Sequence, residues 1–339
     1  MQNDLKFYTE QSLLNFQNKK YFFFIIDFII NDNSGQFCFV EDIENSDYVI
    51  YPLDIVYASN KFGVKSIHSF LQKSQKANKR TWIVSFGDHG FSKFDKNYDV
   101  IHFRLSGFKS RFKTLTEIFP PFIKDPYNLD LIEFNSSNNL SLGFVGHANG
   151  SAYKYFKELL SYILLQIKIV LNKNHFDHQK FYPSSIIRYE YLKKIDKLNV
   201  LKTNYILRNK YRAGIQNDAE KRNLSEKEFF LNINDNIFTF CMRGGGNFSV
   251  RFYETLAAGR IPLYLDTDCK LPLEDIICWE NHILTIKPND NFKLIKQKII
   301  NFIENKDLEE IQKSNRELWK NYLDKDSYVK NILKKYKIN

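Results

Sequence analysis

The sequence predicts an α/β protein of two Rossmann-like domains whose parallel sheets face a cleft. Three observations carry that prediction. Short apolar runs alternate with longer stretches of helical spacing, the pattern of strands joined by crossover helices. The chain has 339 residues, long for one hydrophobic core and comfortable for two. A polar stretch rich in Asn and Ser, from Asn128 to Asn139, follows Pro120-Pro121 and separates two such alternating halves. The expected units are residues 1–135, residues 136–315, and an amphipathic C-terminal helix over 316–339 that packs back on the first.

In the first half, Tyr21–Ile30, Tyr48–Tyr51, Trp82–Phe86 and Val100–Phe103 read as strands. Between two of them, Asn60–Gln75 has helical spacing at Phe62, Val64, Ile67 and Leu71. The second half opens with a strand over Leu140–Val145 and the loop Gly146-His147-Ala148-Asn149-Gly150. A helix over Ser151–Leu171 follows, with Tyr155, Leu159, Tyr162, Ile163 and Ile167 as its buried face. Phe238–Met242 and Ile261–Leu265 are strands. The tail from Asp307 to Tyr336 is amphipathic, with Leu308, Ile311, Leu318, Tyr322, Val329 and Ile332 as its apolar set.

Hydrophobic residues make up 43% of the chain, too many for a disordered one. The net charge of +10 favours anionic partners such as nucleotide diphosphates, membrane phospholipid or nucleic acid. The four cysteines, Cys38, Cys241, Cys269 and Cys278, form no CxxC pair and no zinc spacing, and are expected as buried thiols in a reducing compartment. Met1–Glu10 has no apolar h-region, so no signal peptide is expected. The most apolar run, Tyr21–Ile30, is interrupted by Asp27 and falls short of the roughly 20 residues that span a bilayer. A cytoplasmic protein, peripheral on the inner face of a membrane, is the expectation.

The segment from Phe238 to Pro262 carries the chemistry. A buried strand ends at Met242, and Arg243 is followed by Gly244-Gly245-Gly246, which leave the backbone open to a ligand. Ser249 is a good N-cap for a helix through Ala258, with Gly259 as its C′ residue. The unpaired N–H groups at such a helix start suit a diphosphate. Arg251 and Glu254 lie three apart on one helix face. Arg251 suits phosphates as a bidentate cation, Glu254 suits ribose hydroxyls, and Arg243 is a second cation aimed at the same loop. The plain alternative is a tight strand–helix connection with a solvated Arg–Glu pair.

A P-loop is excluded, because Asn247-Phe248-Ser249 stands where GK[ST] is required. The dinucleotide fingerprint fits only as Gly244-x-Gly246-x-x-Ser249, with Asp266 downstream. An NAD(P)-dependent oxidoreductase therefore stays as an alternative. A basic nucleic-acid binder is a further one, ranked below it because the basic residues are dispersed among acids and no RRM, KH or helix-turn-helix signature appears.

These residues resemble the exostosin-like glycosyltransferases. The resemblance rests on Arg243-Gly244, Ser249-Val-Arg251-Phe252-Tyr-Glu254, Ala258-Gly259-Arg-Ile-Pro262, Leu271-Pro272-Leu273 and Cys278-Trp279. Leu273 stands where the family has an aromatic residue, and Cys278 where it has Asp. Upstream, Ser46-Asp47-Tyr48-Val-Ile-Tyr-Pro52, Gly87-Asp88-His89-Gly90 and Leu142-Gly-Phe-Val-Gly146 are similar to family segments. The resemblance implies a GT-B architecture and a UDP-sugar as donor substrate. It also implies an inverting transfer to a glycan or lipid-linked glycan hydroxyl, with no cofactor or metal required.

On this reading the donor site comprises Gly244, Gly245, Gly246, Asn247, Ser249, Arg251 and Glu254. Arg208, in Leu-Arg208-Asn-Lys210-Tyr-Arg212-Ala-Gly214, is expected to reach the diphosphate by the same resemblance. Arg243 and Arg251 stabilise the departing group. Asp88, after the strand Trp82–Phe86, is the expected general base, with His89 as an adjacent substitute and Asp54 in reserve. His147 is a loop residue placed for donor or acceptor. His175 and His178 have metal-like spacing but read as a solvated helix end. Lys109, Arg111 and Lys113 alternate with Phe108 and Phe112, a pattern for an acceptor phosphate, a membrane surface or an exposed basic edge. Lys330, Lys334, Lys335 and Lys337 read as a solvated C-terminus, or as a contact to anionic lipid.

Overall fold

The computed structural model describes residues 4–16, 18–128, 139–171, 176–209 and 218–338. The first half forms β1 (Leu5–Tyr8), α1 (Gln11–Leu14), α2 (Ile25–Ile30), β2 (Phe37–Phe39), β3 (Tyr48–Asp54), α3 (Ile55–Phe62), α4 (Val64–Lys76), β4 (Thr81–Ser85), β5 (Val100–Arg104) and β6 (Leu115–Ile118). Its six strands pair in the order β2-β1-β3-β4-β5-β6, parallel throughout. The second half forms β7 (Ser141–His147), α5 (Ala152–Val170), α6 (Ser184–Asp196), β8 (Lys202–Arg208), α7 (Ala219–Asp235), β9 (Phe238–Met242), α8 (Val250–Ala257), β10 (Ile261–Leu265) and β11 (Leu284–Ile286). These five strands are also parallel, in the order β11-β10-β9-β7-β8. Helices α9 (Phe292–Asn305), α10 (Leu308–Leu318) and α11 (Lys325–Ile338) close the chain. Two parallel α/β sheets of six and five strands bear out the expected pair of Rossmann-like units.

In the second sheet the chain steps from β7 outward to β8, then returns to the other side of β7 with β9. The strand order reverses at β7 and β9. Crossover connections leave in opposite directions there and open a crevice at the strands' C-terminal ends.

Four expectations are corrected. The run Tyr21–Ile30 is not a strand: Phe22 makes one isolated bridge to Leu53, and Ile25–Ile30 is helix α2, burying Ile25, Ile26 and Ile29. An apolar run without period serves a buried helix as well as a buried strand, and the sheet position goes instead to Leu5–Tyr8. The single helix over Asn60–Gln75 is two, broken at Gly63, whose φ of 81° is open only to glycine at low strain. Helix α5 is present, but the face carrying Tyr155, Ile163 and Ile167 is exposed. Most of the connection Asn128–Asn139 lies outside the described residues. Of the cysteines, Cys241 is buried, Cys38 and Cys269 are partly so, and Cys278 is exposed, against the expectation of uniformly buried thiols.

Helix α11 returns to the first sheet. Its Tyr328 hydroxyl donates to the Ile118 carbonyl, and Tyr336 lies edge-on to Trp82 with ring centroids 4.9 Å apart. Glu117, buried at the end of β6, accepts from Lys335 Nζ and the Tyr336 hydroxyl, each at 2.7 Å, and Lys335 also pairs with Asp275. Burial pulls the Lys335 pKa down, but the bonds to Asp275 and Glu117 outweigh it and leave it raised. Two of the tail's cations are thus turned inward, since Lys337 lies over the Phe37 ring. Glu117→Ala leaves the buried Tyr336 hydroxyl short of its acceptor and Lys335 with Asp275 alone, and is expected to cost roughly 2–4 kcal/mol. A urea denaturation midpoint within error of the wild type would contradict this role for the Glu117 cluster.

Candidate functional site

The site is built at the reversal of strand order in the second sheet. Strand β9 delivers Arg243 and the turn Gly244–Gly246, whose ends are held by the Gly244 N–H on the Phe248 carbonyl. Only glycine fits at 246, since a Cβ there would lie 2.1 Å from the Asp88 carbonyl oxygen of the first sheet's loop. Asn247, fully buried, donates to the carbonyls of Gly107, Thr267 and Asp268 and accepts from the Thr267 hydroxyl. All its side-chain polar atoms are engaged within the protein, so it positions the glycine turn rather than offering a group to a ligand. Ser249 has the extended backbone of an N-cap, yet its hydroxyl makes no capping bond. That corrects the expected cap and leaves the first amides of α8 to other acceptors. Gly259 does take the positive φ (63°) expected at C′.

Three arginines gather around this turn. Arg251, on α8, lies 4.1 Å from the Phe144 ring centroid and 5.4 Å from that of Phe229, and donates to the Val145 carbonyl at 2.6 Å. Gly146 allows its approach, because a Cβ there would stand 2.7 Å from Nη2 of Arg251. Arg243 stacks on Tyr182 at 4.4 Å and Phe108 at 5.2 Å, and donates to Gln179 and the Gly245 carbonyl. Arg188, on α6, donates to the carbonyls of His147 and Arg243 and lies 5.9 Å from Phe144. Among the described residues none of the three forms an ion pair, and the Nε of each is buried without a partner. Burial lowers all three pKa values, that of Arg188 to about 10 with the Arg251 charge contributing. Desolvated cations cost several kcal/mol unless an anion or strong acceptors offset them, and here only carbonyls, an amide and ring faces do so. The chemistry this permits is retention of a multiply charged anion.

Neighbouring groups share that field. His147, at the end of β7, is held at about 4 by burial and by Lys154 and Arg188. Arg208, at the end of β8, is ion-paired with Glu228 and donates to the Ser225 carbonyl, so its charge is partly spoken for. Glu254 is half-buried one turn along α8, and its charge offsets the lowering of Arg251.

The first sheet supplies the opposite wall. The loop after β4 carries Gly87–Gly90, tied down by the Ser106 hydroxyl on the Asp88 carbonyl and by Gln179 on the His89 carbonyl. Beneath it Ser85, His102 and Asp95 form a hydrogen-bonded chain of 3.0 and 2.8 Å. All three are buried, so this Ser–His–Asp array braces the loop and has no access to a substrate. Asp54 accepts from the amides of Tyr57 and Phe86, and burial raises its pKa. It is occupied as a helix cap, which removes the reserve base. Asp88 is exposed, and the cleft of about 280 Å³ between the two walls is lined instead by His89, with Arg243, Gly245, Gln179, Tyr182 and Glu158. Burial lowers the His89 pKa, with Arg243 adding to the effect and Asp88 opposing it. His89 is therefore neutral at pH 7 and able to accept a proton. His178 bonds Gln166, and His175 lies outside the described residues, as do Lys210 and Arg212.

Sequence reasoning missed Arg188, Gln179, Tyr182 and Phe144. Arg188 sits inside α6, a helix whose apolar residues mark out no single face. The single available signal was its lack of an acidic residue four positions earlier, where Ser184 stands.

No protein-family model and no curated protein matches this sequence. Among solved structures the chain is similar to an α1,3-fucosyltransferase, at 12% identity over 92% of this chain and 82% of that one, with a TM-score of 0.37. It is also similar to the pneumococcal O-GlcNAc transferase GtfA in complex with UDP and GlcNAc, at 12% identity over 81% of this chain and 54% of that one, TM-score 0.33. A GtfA/B complex gives 10% identity over 80% of this chain and 55% of that one, TM-score 0.33. The chain spans about half the length of the chains it matches in these two structures. Likenesses at this level concern overall architecture and assign no residue a role.

His147 gives a test of this desolvated and cationic surrounding. Its pKa is about 4 in the folded chain against an ordinary 6.5, so the unfolded chain takes up its proton first as pH falls. The stability it contributes is complete above pH 6.5 and is lost toward pH 4. His147→Gln is expected to flatten that part of a plot of denaturation midpoint against pH. An unchanged slope in this window would mean that the ring is not held neutral.

Proposed function

We propose that the protein is an exostosin-like glycosyltransferase that moves a sugar from a UDP-sugar to a glycan hydroxyl with inversion and without an obligate metal, in polysaccharide or glycoconjugate synthesis. The observation that carries this reading is the set of three guanidinium groups, Arg188, Arg243 and Arg251, gathered at the reversal of strand order with their Nε atoms buried and with no ion-pair partner among the described residues. A nucleoside diphosphate is the anion we assign to these cations, with Glu254, one turn along α8, accepting from its ribose hydroxyls.

Transfer is one in-line displacement. A lone pair of the acceptor oxygen attacks the anomeric carbon as the bond to the diphosphate oxygen breaks, and that bond's electrons leave with the diphosphate. Negative charge grows there, where the arginines are already oriented and desolvated. The acceptor proton must leave on the opposite side of the sugar. His89 lines the cleft on the first sheet's wall and holds a neutral ring, so we assign it the base role ahead of Asp88.

Arg251→Ala is expected to lower turnover by about two to three orders of magnitude, more than it raises the donor Michaelis constant. A change of only a few-fold would remove Arg251 from the reaction. Glu254→Gln is expected to weaken UDP binding with the fold intact; a UDP dissociation constant equal to the wild type's removes it from the ribose. UDP, and not NAD, should raise the melting temperature.

His89→Gln and Asp88→Asn divide the base assignment. Loss of transfer with UDP binding retained is expected in the first and near-normal transfer in the second. The reverse pattern would return the role to Asp88.

A further inference from the structure

Helix α5 is the most exposed apolar element of the described chain. Tyr153, Phe156, Leu160, Ile163, Ile167 and Val170 recur three and four apart along one side, with Tyr153 78%, Phe156 65% and Val170 79% exposed. Leu164 and Leu171 widen the stripe beyond the narrow seam that a single partner helix fills. No residue of the helix is fully buried. A face of this breadth on a folded protein marks an interaction surface.

The charges beside it are of one sign. Lys157 and Lys168 flank the stripe, both exposed, and among the described residues neither is in an ion pair. The helix's one acid, Glu158, pairs with Lys154 and turns to the cleft. The basic edge of the first sheet adjoins the same helix: exposed Arg111 donates to the His178 carbonyl, and the His178 ring bonds Gln166 of α5. Lys113 is exposed on that edge as well. The helix is not long and apolar enough to cross a membrane. An apolar face bordered by lysines, on a helix that cannot span, fits a position in the plane of an anionic bilayer surface. Two copies docked through this stripe would bring their lysines together with no acid to oppose them.

We propose that α5 docks the protein on an anionic phospholipid surface, with its apolar stripe among the acyl chains and Lys157, Lys168, Arg111 and Lys113 at the headgroups. Helix α5 has a second side. Glu158, Tyr162, Leu165 and Gln166 line the cleft beside His89 and Arg243. Docking therefore sets the cleft mouth next to the lipid. That position suits an acceptor anchored in the membrane, a point that rests on the transferase reading, whereas the docking itself does not.

Flotation of the full chain with phosphatidylcholine vesicles, alone or mixed with phosphatidylglycerol, tests the docking without any sugar donor present. The wild type should float with mixed vesicles and much less with neutral ones. Phe156→Ser with Ile163→Ser should weaken that partitioning about tenfold or more, and Lys157→Glu with Lys168→Glu should weaken it on mixed vesicles only, again by about tenfold. These side chains are solvent-exposed, and an unchanged UDP-induced melting shift in the variants shows that the fold and donor site survive. If UDP gives no shift in any form while flotation persists, the donor reading fails and the docking stands. Absence of flotation with mixed vesicles overturns the proposal. So does a wild type that sediments as a dimer and becomes monomeric on substitution of Phe156 and Ile163.

Discussion

Three guanidinium groups are kept from bulk water at one end of the second sheet, and much of the surrounding structure follows from the need to hold them there. Phe144 in β7 takes Arg251 and Arg188 on its ring, and Tyr182 and Phe108 sandwich Arg243. Some of their donors reach the carbonyls of Val145, His147 and Gly245, while the Nε of each has no partner. Ring quadrupoles and carbonyl dipoles are partial substitutes for an anion, since each contributes about a kcal/mol or somewhat more against a desolvation penalty several times larger. Burial, with the Lys154 and Arg188 charges adding to it, keeps His147 neutral well below the pH at which a free imidazole would be charged.

Holding those cations also couples the two sheets. Arg243 belongs to the second, yet it bonds Gln179, which in turn bonds the His89 carbonyl on the first sheet's loop. Gly246 and Asp88 meet backbone to backbone, and Asn247 reaches the Gly107 carbonyl. A buried network of Ser85, His102 and Asp95 braces the first sheet's side of the contact, with Arg104 tying in Asp177. Helix α11 completes the tie by returning to β6 through Tyr328, Lys335 and Tyr336. The cleft is therefore bounded by groups whose positions are fixed from both halves, which is what a reaction between two bound molecules requires.

Local patterns in the sequence carried the strands well wherever an apolar run was bounded by turn residues. Tyr48–Tyr51, Trp82–Phe86, Val100–Phe103, Leu140–Val145, Phe238–Met242 and Ile261–Leu265 all coincide with strands to within a few residues. Short edge strands such as Phe37–Phe39 escaped, since three residues cannot show a period. Tyr21–Ile30 misled because it is apolar on every side. Helix α5 misled in the opposite sense: its spacing was right, but periodicity says that a face is apolar and not what lies against it.

What the sequence by itself determined is the second half's strand–glycine–helix unit, with Arg243 at the strand end and Arg251 and Glu254 on one face of α8. Backbone freedom at Gly244–Gly246 and side-chain spacing along a helix are properties of neighbours in the chain. The tertiary structure alone decided which other groups meet them. Arg188 comes from 55 residues before Arg243, Val145 stands 106 before Arg251, and His89 comes from the other sheet altogether. It also decided that Asn247 and Asp54 are spent on holding backbone and that Asp88 is exposed. Desolvation and pairing depend on what is packed around a charge, and that is set by chain segments too far apart for any local pattern to relate.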